Sequence, residues 1–425
     1  MIISRTDNSL RVITCVLLLI GLCVCQISLA ESTSSDTSTI TLYGLFPTNG
    51  SLTAGGESSK TAFNLAISDI NTFLKDGGSK IQVKGVTTEI GSDPESALDA
   101  IQKLHESGVT MVICYLSSAQ IEAIKEYADS NGVLIVSVGS SATELSIPDD
   151  NILRFNTDDS VQGLSVVNLF KQDNITTVIP LARNDIWGKG LIKTVKSNLS
   201  DSITVDEGIW YDPTTTSFTD SLSQLDKKVS DELQTNDASK IAVYVISFTE
   251  LEQIFKDAKT NGYSNLEKVR WYGCDGNALT PALTGSGDVP EYAYERNFTG
   301  LTVGPNLNYK QNPVYQSLKK TLGKEPDGSS YGCYDATNIA YRTLLMNGNT
   351  DAKTLRDEVI AISNSYVGVA GLAMKNEAGD AREGHYILWG IVKDNGEYSQ
   401  KAQAEVASWF NYGVRQTVSF YPVKE

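Results

Sequence analysis

The stretch "LIVSVGSSATEL", Leu134 to Leu145, passes from an apolar, β-branched run directly into a glycine and two serines, then into residues able to open a helix. A short apolar run bounded by glycine reads as a strand buried on both faces, and such strands belong to parallel sheets covered by helices. In open α/β sheets a ligand sits beyond the carboxyl ends of the strands. There helix N-termini turn free N–H groups, and the positive end of the helix dipole, toward whatever binds. Gly139, Ser140 and Ser141 therefore stand where such a chain would hold a small anion.

The flanks support the same reading. Upstream, "ITLYGLFP" (40–47) reads as a strand and "SSKTAFNLAISDINTFL" as a helix with Ala62, Leu65, Ala66 and Ile70 on one face. "KIQVKGVTTEI" is a strand, "DPESALDAIQKLHESG" a helix, "VTMVICYL" a strand and "AQIEAIKEYADSNG" a helix leading into the opening stretch. The junction "CYLSSAQ" repeats the arrangement, with Ser117 and Ser118 between strand and helix. Serine at such a junction either caps the helix or, beside its free N–H groups, helps hold a carboxylate. Downstream the rhythm restarts: "LSVVNLFKQD", "TTVIPLAR", "GKGLIKTVKSNLS", "TVDEGIWYD", "TDSLSQLDKKVSD", "KIAVYVIS" and "TELEQIFKDAKTNG" alternate helix and strand into "VRWYGC". The expectation is two α/β lobes in series, each a parallel-sheet, Rossmann-like sandwich. No Pro- or Gly-rich linker divides them, so short crossings should join them.

With 425 residues, 41% hydrophobic and 20% charged, the chain can bury two cores. Its net charge of −16, with no cluster of Lys and Arg, excludes nucleic acid as an expected partner. Arg5 and Arg11 precede an apolar run over 12–24, and Ser28-Leu29-Ala30 offers small residues for cleavage. Residues 1–30 thus read as a signal peptide; the alternative is a retained membrane anchor, since 13–29 is just long enough to span. Bulky Leu22 and Val24 before Cys23 and Cys25 oppose lipid modification of either cysteine. Either way the chain is expected to be exported, to the periplasm or the cell surface. Of the six cysteines, Cys114, Cys274 and Cys333 would remain after cleavage. An odd number reads as buried thiols with at most one bridge. These cysteines lie far apart and His105 and His385 are the only histidines, so no metal site is expected. The sequons at Asn49, Asn174, Asn198 and Asn297 are compatible with surface glycosylation.

Catalytic readings find little support. "NGSLTAGGESSKT" lacks the Gly-Lys-Ser/Thr of a phosphate loop and reads as a flexible loop opening a helix. No Gly-x-Ser-x-Gly elbow is present, which opposes an exported hydrolase. Asp149-Asp150 and Asp158-Asp159 read as solvated turns.

The order of "ICYLSSAQ", "GVLIVSVGSSATEL", "LRFNTDDSVQG", "ARNDIWGKGL", "YGCDGNAL" and "YGCYDA" resembles the periplasmic-binding-protein type I superfamily, in particular the branched-chain amino acid binding proteins of ABC importers. The resemblance runs from Ile40 into the last forty residues. It implies hinge crossings near Thr157, Pro305 and Ala381, a first lobe of 38–157 plus 306–383, and a second of 158–305 plus 384–425. It also implies that Ser117 or Ser118, with Gly139, Ser140 and Ser141, holds an α-carboxylate. Trp187 would cover the ligand from the second lobe, a further aromatic wall would fall on Ser247 or Phe248, and Asp275 would pair with an α-ammonium. Read from the residues alone, Trp187 could equally pack between lobes and Asp275 could be a turn residue. Tyr331, Cys333, Tyr334 and Asp335 are expected on a helix packed in the first lobe. Ala54 and Gly55 stand where relatives often carry a bulkier residue, leaving room for a larger pocket. The segment from Lys393 to Glu425 is longer than the usual tail. The resemblance thus implies capture of an amino acid and its delivery to ABC permease subunits, without catalysis or cofactor. A ligand-sensing ectodomain of the same fold, or a binder of an amide or other non-amino-acid ligand, are the alternatives.

Overall fold

The computed structural model describes residues 38–199, 202–304, 309–411 and 414–422. The segment read as a signal peptide and the crossing near Pro305 lie outside the described residues. No helix among the described residues is long and apolar enough to cross a membrane.

The first sheet has five strands: β1 (Ser38–Pro47), β2 (Ile81–Ile90), β3 (Met111–Cys114), β4 (Leu134–Ser137) and β5 (Ile152–Arg154), in the order β2-β1-β3-β4-β5. From β1 to β5 the pairs are parallel, with Gly44 opposite Ile113, Val112 opposite Ile135 and Val136 opposite Leu153. The two-residue side-chain period splits these strands between two cores. Met111, Ile113, Leu134 and Val136 face one, while Val112, Cys114 and Ile135 face the other. Helices α1 (Thr53–Asp76), α2 (Pro94–Glu106) and α3 (Ser118–Asn131) cover the two faces. Helix α2 starts on an Asp93 cap, whose Oδ1 accepts the Ser96 N–H at 2.7 Å, and on a proline at its first position. Helix α3 ends on Gly132 at φ +66°, a conformation that costs glycine nothing.

The glycine pair in "TAGGESS" belongs to α1, not to a loop before it. A Cβ on Gly56 would lie 1.8 Å from the Pro47 carbonyl oxygen, so only glycine lets the helix start against the end of β1.

The second unit of the pattern runs α4 (Asp159–Gln172), β6 (Thr177–Arg183), α5 (Ile186–Ser197), β7 (Thr204–Val205), β8 (Ile209–Tyr211), α6 (Thr219–Glu232), β9 (Ile241–Ile246), α7 (Leu251–Asn261), β10 (Arg270–Gly273), α8 (Asp288–Glu295) and β11 (Thr299–Val303). Helices α9 (Pro313–Leu322), α10 (Gly328–Asn347) and α11 (Ala352–Ser363) return to the first sheet, where Tyr331, Cys333, Leu355 and Val359 pack with Leu42 and Phe46. The chain then adds β12 (His385–Asp394), β13 (Glu397–Asn411) and β14 (Val414–Pro422) to the second sheet, giving β14-β13-β12-β11-β10-β9-β6-β7, with β8 also on β6.

That second sheet is parallel from β11 through β6 but antiparallel over its last three strands. The link from β12 to β13 is Asn395-Gly396, both at positive φ (+48° and +88°), and a two-residue turn can only join antiparallel neighbours. The long tail is thus a hairpin extension of the sheet. Among the described residues Cys114, Cys274 and Cys333 are free and buried. Two acidic residues read as solvated are not: Asp150 is 7% exposed and paired with Lys125 at 3.3 Å, and Asp159 is wholly buried.

Arg154, at the end of β5, is buried with Asp380 in a bidentate pair (Nε–Oδ1 2.5 Å, Nη2–Oδ2 2.7 Å). Its Nη1 donates to the Ala142 carbonyl at 2.8 Å, and Ser146 donates to Asp380 at 2.6 Å. One guanidinium therefore fixes the first sheet's edge, the loop after β4 and the strand-free segment before β12. Replacing Asp380 by alanine leaves that guanidinium buried and unpaired, and unfolding in urea should show a loss of about 3–5 kcal/mol. A loss below about 1 kcal/mol would mean that the pair does not hold these segments together.

Candidate functional site

The strand ends of the two sheets face a shared cleft enclosing about 810 Å³ of space, part of it open to solvent. On the first-lobe side, β3 runs out through Tyr115 and Leu116 to Ser117, the cap of α3. The Ser117 hydroxyl accepts the Gln120 N–H at 3.3 Å, and the Gln120 side chain returns a bond to the Ser117 N–H at 3.1 Å. Helix geometry leaves the N–H groups of Ser118 and Ala119 without acceptors inside α3.

The Ser118 hydroxyl knots the two serine loops together. Its Oγ accepts from Ser141 N (3.3 Å) and Ala142 N (3.1 Å) and lies 3.0 Å from Ser140 Oγ. Gly139 makes this possible, because a Cβ there would stand 2.7 Å from the Leu116 carbonyl oxygen. The loop after β4 departs from the expectation in one respect. No α-helix follows it, only a single 3-10 turn (Thr143–Leu145), and the Ser141 and Ala142 N–H groups are already taken by Ser118. Arg154 holds the Ala142 carbonyl and turns the chain away before a helix could form. On this wall the helix-start N–H groups are those of α3 and, where Gly328 and Ser329 also line the cleft, of α10, the helix that begins at Gly328. Ser140 is 1% exposed, spends its hydroxyl on Ser118 and does not face the cleft.

The opposing wall comes from the second lobe. Asp185 caps α5 through the Gly188 N–H (2.9 Å), setting Trp187 in the first turn. Trp187 stacks on Phe248, with centroids 4.5 Å apart and planes at 9°. The Arg183 guanidinium lies 4.8 Å from the Phe248 ring centroid and is ion-paired with Asp185 and Glu250. Ser247 is buried and its hydroxyl accepts from Asn277, so of the two alternatives Phe248 forms the wall. Thr249 Oγ1 donates to the Ser51 carbonyl at 3.1 Å, joining the walls at one rim.

Asp275 follows β10 in a tight turn held by Asn277, whose Oδ1 accepts the Cys274 N–H (3.0 Å) and whose Nδ2 reaches the Val245 carbonyl (3.0 Å). Its own N–H donates to Gln162 Oε1 at 2.9 Å, and Gln162 Nε2 donates to Asp159 Oδ1 at 2.9 Å. One glutamine therefore bridges two acidic residues. Asp275 Oδ1 is buried and has no hydrogen-bond partner. Burial pushes the Asp275 carboxyl up to about 6. Asp159 is raised well above the carboxylate range, first by burial and then by the charge of Asp275. Among the residues lining the cleft none is Lys or Arg.

Seven of the eight expected residues, Ser117, Ser118, Gly139, Ser141, Trp187, Phe248 and Asp275, meet on this cleft. Sequence reasoning missed Tyr115, Asn156, Asp327 and Ser329, which also line it. It also missed Asp159 behind Asp275, because a double aspartate before a helix looks like a cap. Asp158 is indeed that cap, accepting the Ser160 N–H, and Asp159 turns inward. Asp327 was legible as a cap before a helix, but nothing in the pattern brings that helix to this cleft.

A family model described as periplasmic binding protein matches residues 39–405. An uncharacterized protein of Methanocaldococcus jannaschii is 25% identical over 370 residues, covering 81% of this chain and 85% of that one. Other relatives are named Leu/Ile/Val-binding protein. Among solved structures, the branched-chain amino acid transporter substrate binding protein of Streptococcus pneumoniae, in complex with isoleucine, superposes with a TM-score of 0.65 at 18% identity, covering 86% of this chain and 99% of that chain. A solute binding protein of an ABC transporter from Rhodopseudomonas palustris, in complex with 3,4-dihydroxybenzoic acid, gives 0.68 at 15% identity over 87% and 97%.

The Asp275 carboxyl carries a sign that can be tested without ligand. Its folded pKa lies above the unfolded value, so its contribution to stability is largest below about pH 4 and is lost as pH rises through about 6. Asp275→Asn should therefore unfold later than the parent at pH 8, by up to about 3 kcal/mol, with a flatter decline between pH 5 and 7. Denaturant melts showing the same pH slope in both proteins would mean the carboxylate is not isolated as described.

Proposed function

Because the chain belongs to the periplasmic binding protein family, we propose that its cleft captures a small zwitterion, an amino acid, and that the loaded protein delivers it to the membrane subunits of an ABC importer. The observation that carries this reading is Asp275 Oδ1, buried at one wall without a partner, across from the open N-terminus of α3 at the other. An ammonium supplies the missing donor to Asp275. A carboxylate suits the N–H groups of Ser118 and Ala119, the hydroxyl of Ser117 and the dipole of α3. The Trp187–Phe248 stack offers an apolar face to the carbon skeleton. The similar structures hold isoleucine in one case and a dihydroxybenzoate in the other. Both ligands carry a carboxylate and only the first an ammonium, and an unbalanced acid in this cleft favours the ligand with the ammonium.

In this reading the lobes are 38–157 with 306–383 and 158–305 with 384–425, and residues 1–30 direct export before removal. Capture works by closure: a ligand touching both Ser118 and Asp275 gains its full contacts only when the walls meet, so it shifts the population toward the closed form. The Thr249–Ser51 contact then joins the walls at one rim.

A thermal-shift screen of amino acids identifies the ligand, and titration of Asp275→Ala tests the assignment. Leaving the ammonium desolvated should cost about 2–5 kcal/mol, roughly 30-fold to several thousand-fold in Kd. A Kd within about threefold of the parent, under ~0.7 kcal/mol, would remove Asp275 from the site. Closure has its own readout: small-angle scattering should give a smaller radius of gyration at saturating ligand, and an unchanged radius would place binding within one lobe.

A further inference from the structure

The cleft holds a second carboxylate, Asp327, at the head of α10. Its Oδ1 is fully occupied, accepting from Ser330 N (3.0 Å), Ser330 Oγ (3.0 Å) and Ser329 Oγ (2.5 Å). No hydrogen bond or ion pair reaches its Oδ2 from the described residues, and the residue lines the cleft. The surroundings at this end are polar as well. The Ser329 hydroxyl lies beside it, 3.4 Å from Ser59 Oγ, and Tyr115 packs close against Gly55 and Gly139 with its phenol pushed up by burial first and then by the charges of Asp327 and Asp275. Nothing nearby neutralises the two acids. Arg183, behind Phe248, is already engaged by Asp185 and Glu250, and among the described residues no Lys or Arg lines the cleft. An aliphatic side chain laid against this end would strip water from Oδ2 and return no donor, which penalises it. A terminal cation would do the reverse.

Resting on the assignment of the α-ammonium to Asp275, we infer that Asp327 Oδ2 receives a second cationic group at the far end of the ligand, so that the cleft selects a basic amino acid over a branched aliphatic one. Ala54 and Gly55 at the same cleft are small, and the Tyr115 ring packs beside Gly55.

Lysine and norleucine share a carbon skeleton and differ at the far end by the ammonium, which makes them the probes. Calorimetric titration of the full chain should show lysine binding about 30-fold or more tighter than norleucine. Asp327→Asn keeps a side chain that caps helices as well as aspartate does, so the melting temperature of the empty protein should stay near that of the parent. The variant should lose that preference through weaker lysine binding, with norleucine bound as tightly as by the parent or more tightly, since the desolvation penalty at Oδ2 falls with its charge. Norleucine binding as tightly as lysine to the parent would overturn the inference and leave the Asp275 assignment standing. A lysine preference that survives in Asp327→Asn would overturn Asp327 as its source. If neither amino acid binds, this inference falls, and the assignment to Asp275 is decided separately by the thermal-shift screen and the Asp275→Ala titration.

Discussion

Two acids, Asp159 and Asp275, meet at one glutamine of the second-lobe wall, and among the described residues neither has an ion-pair partner; the Arg154 guanidinium, itself paired with Asp380, opposes the effect of burial on Asp159 without overcoming it. An acid taken out of water without a partner raises its pKa or recruits a positive charge. Burial lifts the Asp275 carboxyl to about 6 and raises that of Asp159 as well. The second response is what the cleft is open to receive. Several other buried charges are paired: Arg154 faces Asp380, Arg183 faces Asp185 and Glu250, and Lys125 faces Asp150. Under the proposed function, the Asp159–Asp275 pair is where a cation from outside would complete the structure.

The fold makes this economical. Parallel strands deliver their carboxyl ends to one edge, so short loops after β3, β4, β6, β9 and β10 all reach the same cleft. Each loop is then locked by a local device: the Ser117–Gln120 capping box, the Ser118 hydroxyl, the Asp185 cap and the Asn277 side chain. Walls held this way keep their polar groups aimed, so in the proposed capture little binding energy would be spent on ordering loops.

Part of the candidate site was legible locally: Ser117 and Ser118 before a helix could be placed by the alternation of strand and helix. Trp187 and Asp275 rested on the family resemblance, since from the residues alone the one could pack between lobes and the other could be a turn residue. Sequence reading faltered where a long-range contact overrode the local pattern. Ser140 and Ser141 look like a second helix cap, but Arg154 bonds Ala142 from twelve residues away and no helix forms. Asp159 looks solvated beside Asp158, yet Gln162 and the Asp275 loop enclose it. Asn395-Gly396 was a legible hairpin signal that the search for parallel strands passed over. Asp327 lies beyond a return of the chain to the first sheet, and no spacing in the sequence announces which strand ends it will join.

The central claim is that an external ammonium completes the acid pair, and proton release on binding tests it most directly. Calorimetric titration of the identified ligand at pH 6, repeated in buffers of different ionisation enthalpy, counts the protons exchanged. If Asp275 is about half protonated in the empty cleft and must ionise to meet the ammonium, binding should release on the order of half a proton at pH 6 and almost none at pH 8. Binding with no proton release at pH 6, or with uptake, would contradict the account.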